Sequence, residues 1–205
     1  MKKAILTVVS VIFFFQLNAQ EWEKNAFYLS EDLSFGNYVG GNFNLNYIFN
    51  YDHVIQAGIS GYFREAKSQP SDYSSGLILP LFTFGLSDLE SMGNIQVLYG
   101  RIIRAKNGRT TRYNLSGGLA YTMIDEPTNW QRVNSGFLGP NYTYDTKETN
   151  TVSLIFHPKI EFPFSRYFGV SLSSTVLVNK DSAFFGLGFG ILGGYLRKER
   201  PQPTY

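Results

Sequence analysis

From about residue 26 onward, apolar and polar residues alternate in runs of about ten, the length of a tilted strand that crosses a bilayer. The clearest run places Phe43, Leu45, Tyr47 and Phe49 on one face and Asn42, Asn44, Asn46 and Asn50 on the other. Eight such runs can be drawn: 26–35, 41–50, 53–64, 94–105, 111–123, 151–162, 167–178 and 183–196. In the last, Phe185, Leu187, Phe189, Ile191 and Tyr195 oppose Gly186, Gly188, Gly190 and Gly194. Short links, at Asn50-Tyr51-Asp52, Asn107-Gly108 and Pro163–Arg166, fall at one end. The long links Glu65–Gly93 and Ile124–Asn150 fall at the other. Strands with short turns on one side and long loops on the other predict an all-β, closed antiparallel transmembrane barrel. Eight strands is the preferred count and ten the alternative, the extra strands hidden in the long links. The apolar faces, centred on Leu45, Ile59, Leu119, Leu154 and Phe189, should meet lipid.

Three features strain this pattern. Glu31 interrupts the apolar face of the first run, which calls for a bulge or a different register. Pro158 lies inside the sixth run, where proline cannot donate to a ladder, and a bulge is expected there too. Gly76–Leu86 is too apolar for an ordinary loop and suggests a strand extension or a hairpin over the barrel mouth.

Residues 1–19 read as a signal peptide: Lys2 and Lys3, an apolar stretch from Ala4 to Phe15, and Asn18-Ala19 at the cleavage point. Residues 20–205 then form one outer-membrane barrel domain. Lys2 and Lys3 account for the formal charge of +2, so the remainder is neutral and offers no electrostatic footprint for nucleic acid. The absence of cysteine rules out disulfides, thiolate metal sites and a lipid-modified cysteine. Eighteen Phe, fourteen Tyr and twenty Gly suit aromatic girdles and tightly bent strands.

With these segments in view, the chain resembles the small outer-membrane β-barrel proteins of Gram-negative bacteria, in the porin-like barrel superfamily. The resemblance rests on the signal ending Asn-Ala-Gln, on Gly-Gly-Asn-Phe-Asn-Leu-Asn-Tyr (40–47), on Leu-Ser-Gly-Gly-Leu-Ala-Tyr (115–121) and on the glycine-aromatic last strand. It implies an aromatic residue closing the last strand, either Tyr205 after the polar stretch Arg197–Thr204 or Tyr195. It implies no activity, because such proteins include lipid enzymes, adhesins and pores.

Candidate chemistry is sparse. Arg104 and Arg112 share the inner face, and a three-residue loop Asn107-Gly108-Arg109 sets them directly opposite each other. Like charges so placed need a counter-charge, which Glu161 on the next strand can supply. With Lys159 these residues form an expected lumenal charge cluster, read as a salt-bridged plug; an anion-attracting constriction is the alternative. His157 shares that inner face, with Ser171 or Ser173 expected across from it, and is read as a satisfied lumen histidine rather than a catalytic one. His53 is read as an interfacial polar residue. Tyr73, Trp130, Phe137, Tyr142 and Tyr144 in the long links are candidate loop contacts, for a ligand or for one another. No catalytic residue, cofactor or metal site is expected. The expected role is structural or interactive through the outer loops, with lipid and an unidentified surface ligand as partners. A small pore, a lipid-modifying enzyme and a soluble lipocalin-like barrel follow in that order.

Overall fold

A computed structural model describes residues 24–76, 88–105, 111–133 and 138–197. The expected signal peptide, residues 77–86 of the apolar link, the Asn107-Gly108-Arg109 loop, Phe137 and Tyr205 lie outside the described residues.

Among the described residues nine strands follow in order: β1 (Ala26–Gly36), β2 (Val39–Phe49), β3 (His53–Glu65), β4 (Leu89–Arg104), β5 (Arg112–Arg132), β6 (Tyr142–Phe156), β7 (Lys159–Pro163), β8 (Phe168–Val178) and β9 (Ala183–Tyr195). All pairings are antiparallel, and β1 pairs with both β2 and β9, so the sheet closes into a ring. The segments β6 and β7 are one stave, because both pair with β5 and both with β8. The ring therefore has eight staves. Closure leaves no edge within the wall, the condition for a sheet to cross hydrocarbon.

The interruption between β6 and β7 corrects the expected bulge at Pro158. Leu119 pairs with Leu154 before it and Arg112 with Glu161 after it, and these two pairs share one register. No residue is inserted. Pro158 still accepts from the Ser174 amide at 3.0 Å. It lacks only the N–H that would answer, so the cost is one ladder bond. Glu31 likewise needs no bulge: β1 keeps an unbroken register with both neighbours, and Glu31 faces outward between Phe43 and Ile191.

Alternation sorts the side chains. Leu45, Ile59, Leu119, Leu154 and Phe189 all point outward, at 41–69% exposure, against 0% for the inward Asn44 and Ser153. Apolar outside and polar inside is the reverse of a soluble barrel, and it fits a belt that meets lipid. The interior is not polar throughout. Tyr28, Ile48, Val54, Ile102 and Leu192 form an apolar cluster at the short-turn end. Tyr38, Tyr62, Met92, Leu98 and Phe184 form another toward the opposite end. The fourth run, 94–105, accordingly shows apolar residues on both faces: Leu98 and Ile102 point inward, as does Met92 just before it.

Inward glycines mark where the wall bends. A Cβ on Gly58 would sit 2.1 Å from the Phe43 carbonyl oxygen, and one on Gly190 would sit 2.2 Å from an Asp32 carboxylate oxygen. Only glycine fits there. The short-turn end is periplasmic by the construction of such barrels, which puts the β5–β6 hairpin outside.

Candidate functional site

Between the two apolar clusters lies a layer of buried polar and charged side chains. Arg112 pairs directly with Glu161 across β5 and β7, and its Nε donates to Glu161 at 2.5 Å. Glu161 also accepts from Asn114 Nδ2 at 3.0 Å and from the Tyr28 hydroxyl at 2.9 Å. The Arg112 guanidinium donates to the Leu196 carbonyl at 3.2 Å and lies 4.7 Å from the centre of the Tyr28 ring. Both charges are fully buried. A buried carboxylate with one guanidinium and two further donors has its lone pairs well occupied, which is what such a pair requires to be tolerated.

The other two cluster residues flank this pair and take further partners. Arg104 does stand opposite Arg112 in the ladder. Its side chain, however, turns to the periplasmic rim and donates to the Tyr51 carbonyl. Glu161 therefore pairs with Arg112, while Arg104 is held at the rim. Lys159 is buried and donates to Ser30 Oγ at 3.0 Å and Asn46 Oδ1 at 3.4 Å.

His157 is fully buried, but the register around the Ser165 turn differs from the expected one. Ser171 pairs with Glu161 and Ser173 with Lys159. His157 instead bonds through Nδ1 to Thr175 Oγ1 at 2.7 Å, and its Nε2 lies 3.5 Å from Asp32 Oδ2. Asp32 in turn accepts from Ser171 at 3.0 Å. A threonine hydroxyl beside a histidine beside a carboxylate has the parts of a relay, but all three groups are inside the wall with no exposed atom to receive a substrate. His53 lies at the periplasmic rim, stacked on Phe49 and bonded to the Tyr99 hydroxyl.

A third charged group caps the outer end. Arg64 donates twice to Glu90, at 2.8 and 2.6 Å, and lies over the Tyr38 ring at 4.2 Å. Tyr38 donates to the same carboxylate at 2.5 Å. Sequence reasoning missed this group, because Glu90 falls inside the long link Glu65–Gly93 and Tyr38 lies between two runs.

The loop aromatics come together. Trp130 lies 5.1 Å from Tyr73 and 4.8 Å from Tyr144, and Tyr73 lies 6.4 Å from Tyr142. Trp130 Nε1 donates to Ser68 Oγ at 3.2 Å, and the Tyr142 hydroxyl donates to Asp72 at 2.8 Å. The half-buried rings thus tie the loop at 66–76 to the β5–β6 hairpin. Burial and the Asp88 carboxylate raise the Tyr73 phenol above its ordinary range.

The hairpin itself is longer than expected. The link Ile124–Asn150 is mostly strand: β5 leaves β4 at Asp125 and continues to Arg132 paired only with β6. On its other side β6 pairs with β8 only at Leu154–Phe156. Tyr142–Ser153 therefore has an open edge among the described residues. His157 N–H bonds Ser116 on β5, and the Ser174 amide bonds Pro158 on the β8 side. By alternation, Glu148, Asn150 and Val152 direct their N–H and C=O groups to that open edge.

No protein-family model matches the chain, and neither does any curated protein. Among solved structures it is similar to the N-terminal β-barrel domain of Pseudomonas aeruginosa OprF, at 12% identity and TM-score 0.47, over 85% of this chain and 100% of that one. It is similar to the crystal structure of Ail, the attachment invasion locus protein of Yersinia pestis, at 12% identity and TM-score 0.45, over 83% and 93%. The Yersinia pestis outer membrane protein Ail in a phospholipid bilayer nanodisc matches at 15% identity and TM-score 0.46, over 85% and 100%. On its own geometry, a closed eight-stave antiparallel ring with an apolar belt outside and charged pairs inside, the chain is an outer-membrane β-barrel.

Proposed function

We propose that this protein is a non-enzymatic outer-membrane interaction protein that presents the β5–β6 hairpin as its docking element and whose lumen is closed by side chains. The single observation behind the docking role is the open β6 edge, held above the barrel on a hairpin braced by the Tyr73, Trp130, Tyr142 and Tyr144 cluster. An unpaired edge offers a row of donors and acceptors to an incoming extended strand. Asp145, Lys147 and Glu148 along it discourage indiscriminate pairing and favour a partner of complementary charge. The closed lumen rests on the Arg112–Glu161 pair, the Arg64–Glu90 pair and the two apolar clusters around them. The partners assigned are outer-membrane lipid around the belt and a surface ligand at the hairpin.

A random peptide library panned against the refolded protein in detergent tests this reading. Retained peptides should lose binding to the Asn150→Pro variant, which lacks one edge donor, while the barrel still shifts mobility on boiling. Peptides that bind equally well to Asn150→Pro, or no enrichment at all, would refute the edge as the docking element.

A further inference from the structure

The wall outside β1–β3 carries a feature that neither the barrel nor the hairpin role uses. Glu31 stands at the middle of β1 on the lipid side, with Leu29 and Leu33 on its own strand and Phe43 and Ile191 on its neighbours. Ion pairs to it are absent among the described residues, and no cation of the chain lies outward at the middle of the described strands. A lone carboxyl in hydrocarbon is costly, and it marks a working surface.

Beside it runs a row of outward glycines: Gly41 pairs with Gly61, and Gly61 with Gly93. The barrel does not require glycine at two of them. A Cβ on Gly61 would touch only the Phe63 ring, at 3.9 Å, and one on Gly93 only the Met123 methyl, at 3.6 Å. The inward glycines, by contrast, face backbone at close to 2 Å, as at Gly58. The space freed at Gly41 and Gly61 lies outside, as a groove of about 330 Å³ bordered by Glu31, Leu33, Phe43 and Ile59. Small residues at a lipid-facing surface let another backbone approach closely.

We propose that this groove is the contact face of a parallel two-fold dimer of the chain, with Glu31 of one copy hydrogen-bonded to Glu31 of the other. Two copies inserted the same way round, related by an axis along the membrane normal, place the same residue at the same depth. A neutral carboxyl has one donor and spare acceptor capacity, so two of them close a reciprocal pair without any counter-ion. Lipid tails carry no donor at that depth, and the described strands offer no outward cation there. The twin carboxyl is the one group that two-fold symmetry guarantees to be present.

The chain has no cysteine, so one introduced thiol reports unambiguously. Leu33→Cys in whole membranes, treated with a bismaleimide, should give an adduct of twice the chain mass. Leu119→Cys, outward on β5, should give none. In the Leu33→Cys background Glu31→Gln, whose carboxamide also donates and accepts, should keep the adduct. Glu31→Leu should lower its yield about tenfold, the worth of two such bonds between membrane segments. Gly61→Leu, which fills the groove, should abolish it. Each variant should still show a mobility shift on boiling, which separates loss of the dimer from loss of the fold. Absence of an adduct at Leu33→Cys, equal yield at Leu119→Cys, indifference to Glu31→Leu and Gly61→Leu, or an adduct with a different protein would each overturn the proposal.

Discussion

Replacing Glu161 by Gln is expected to destabilise the barrel by about 3–5 kcal/mol, the cost of leaving one member of a buried ion pair uncompensated. Arg112 has its Nε on Glu161 and lies among Tyr28, Asn114 and the Leu196 carbonyl, with no solvent to take over. The substituted carboxamide would keep an acceptor but remove the charge, and its own N–H groups would point donors toward Asn114 and Tyr28, which already donate there. Lys159 on the same strand face adds positive charge to the layer. Arg104→Gln should cost clearly less, since Arg104 is only half-buried at the rim, bonds a backbone carbonyl, and faces the like charge of Arg112 across the ladder, which its removal relieves. Urea unfolding in detergent micelles, read by gel mobility, compares the two. Equal losses would contradict the separate placement of the two arginines.

Arginine on the outer face should be costly in a depth-dependent way. Leu119→Arg and Phe189→Arg lie at mid-strand and should each cost about 2–4 kcal/mol, against about 0–1 kcal/mol for Ile103→Arg near the periplasmic rim. The cost arises from moving a guanidinium into hydrocarbon, not from lost packing, so Leu119→Ala should cost far less than Leu119→Arg. Refolding into vesicles, with the unfolding midpoint read in guanidinium, provides the comparison. A flat profile with depth would mean that the outward face does not meet lipid.

The alternation along the chain carries the architecture because a lipid belt imposes the same demand on every stave. It makes Leu45, Ile59 and Leu154 recognisable as outward and lets parity set Arg104 opposite Arg112. It fails where a local rule is read too strictly. Glu31 and Pro158 each suggest a bulge, yet both ladders run on in register. One places a polar side chain on the outside, and the other loses a single backbone bond. Around the Ser165 turn a register error of a few residues is enough to bring Thr175, not a serine, onto His157. The hairpin beyond Asp125 is invisible in the sequence because the face it half-buries against the loop at 66–76 is made of Trp130, Tyr142 and Tyr144 among polar residues, so no apolar stripe distinguishes strand from loop. The aromatic layer of Tyr38, Tyr62 and Phe184 is hidden by the assumption that the inside is polar.

Closure of the lumen separates the interaction role from a small pore most directly, and the test is the conductance of purified, refolded protein in planar lipid bilayers. With Arg112 held by Glu161, Arg64 by Glu90, and apolar side chains packed above and below, no stepwise ion current should appear at low or high salt. Reproducible current steps whose anion selectivity falls in Arg104→Gln or Arg112→Gln would contradict the closed lumen and make the protein a channel.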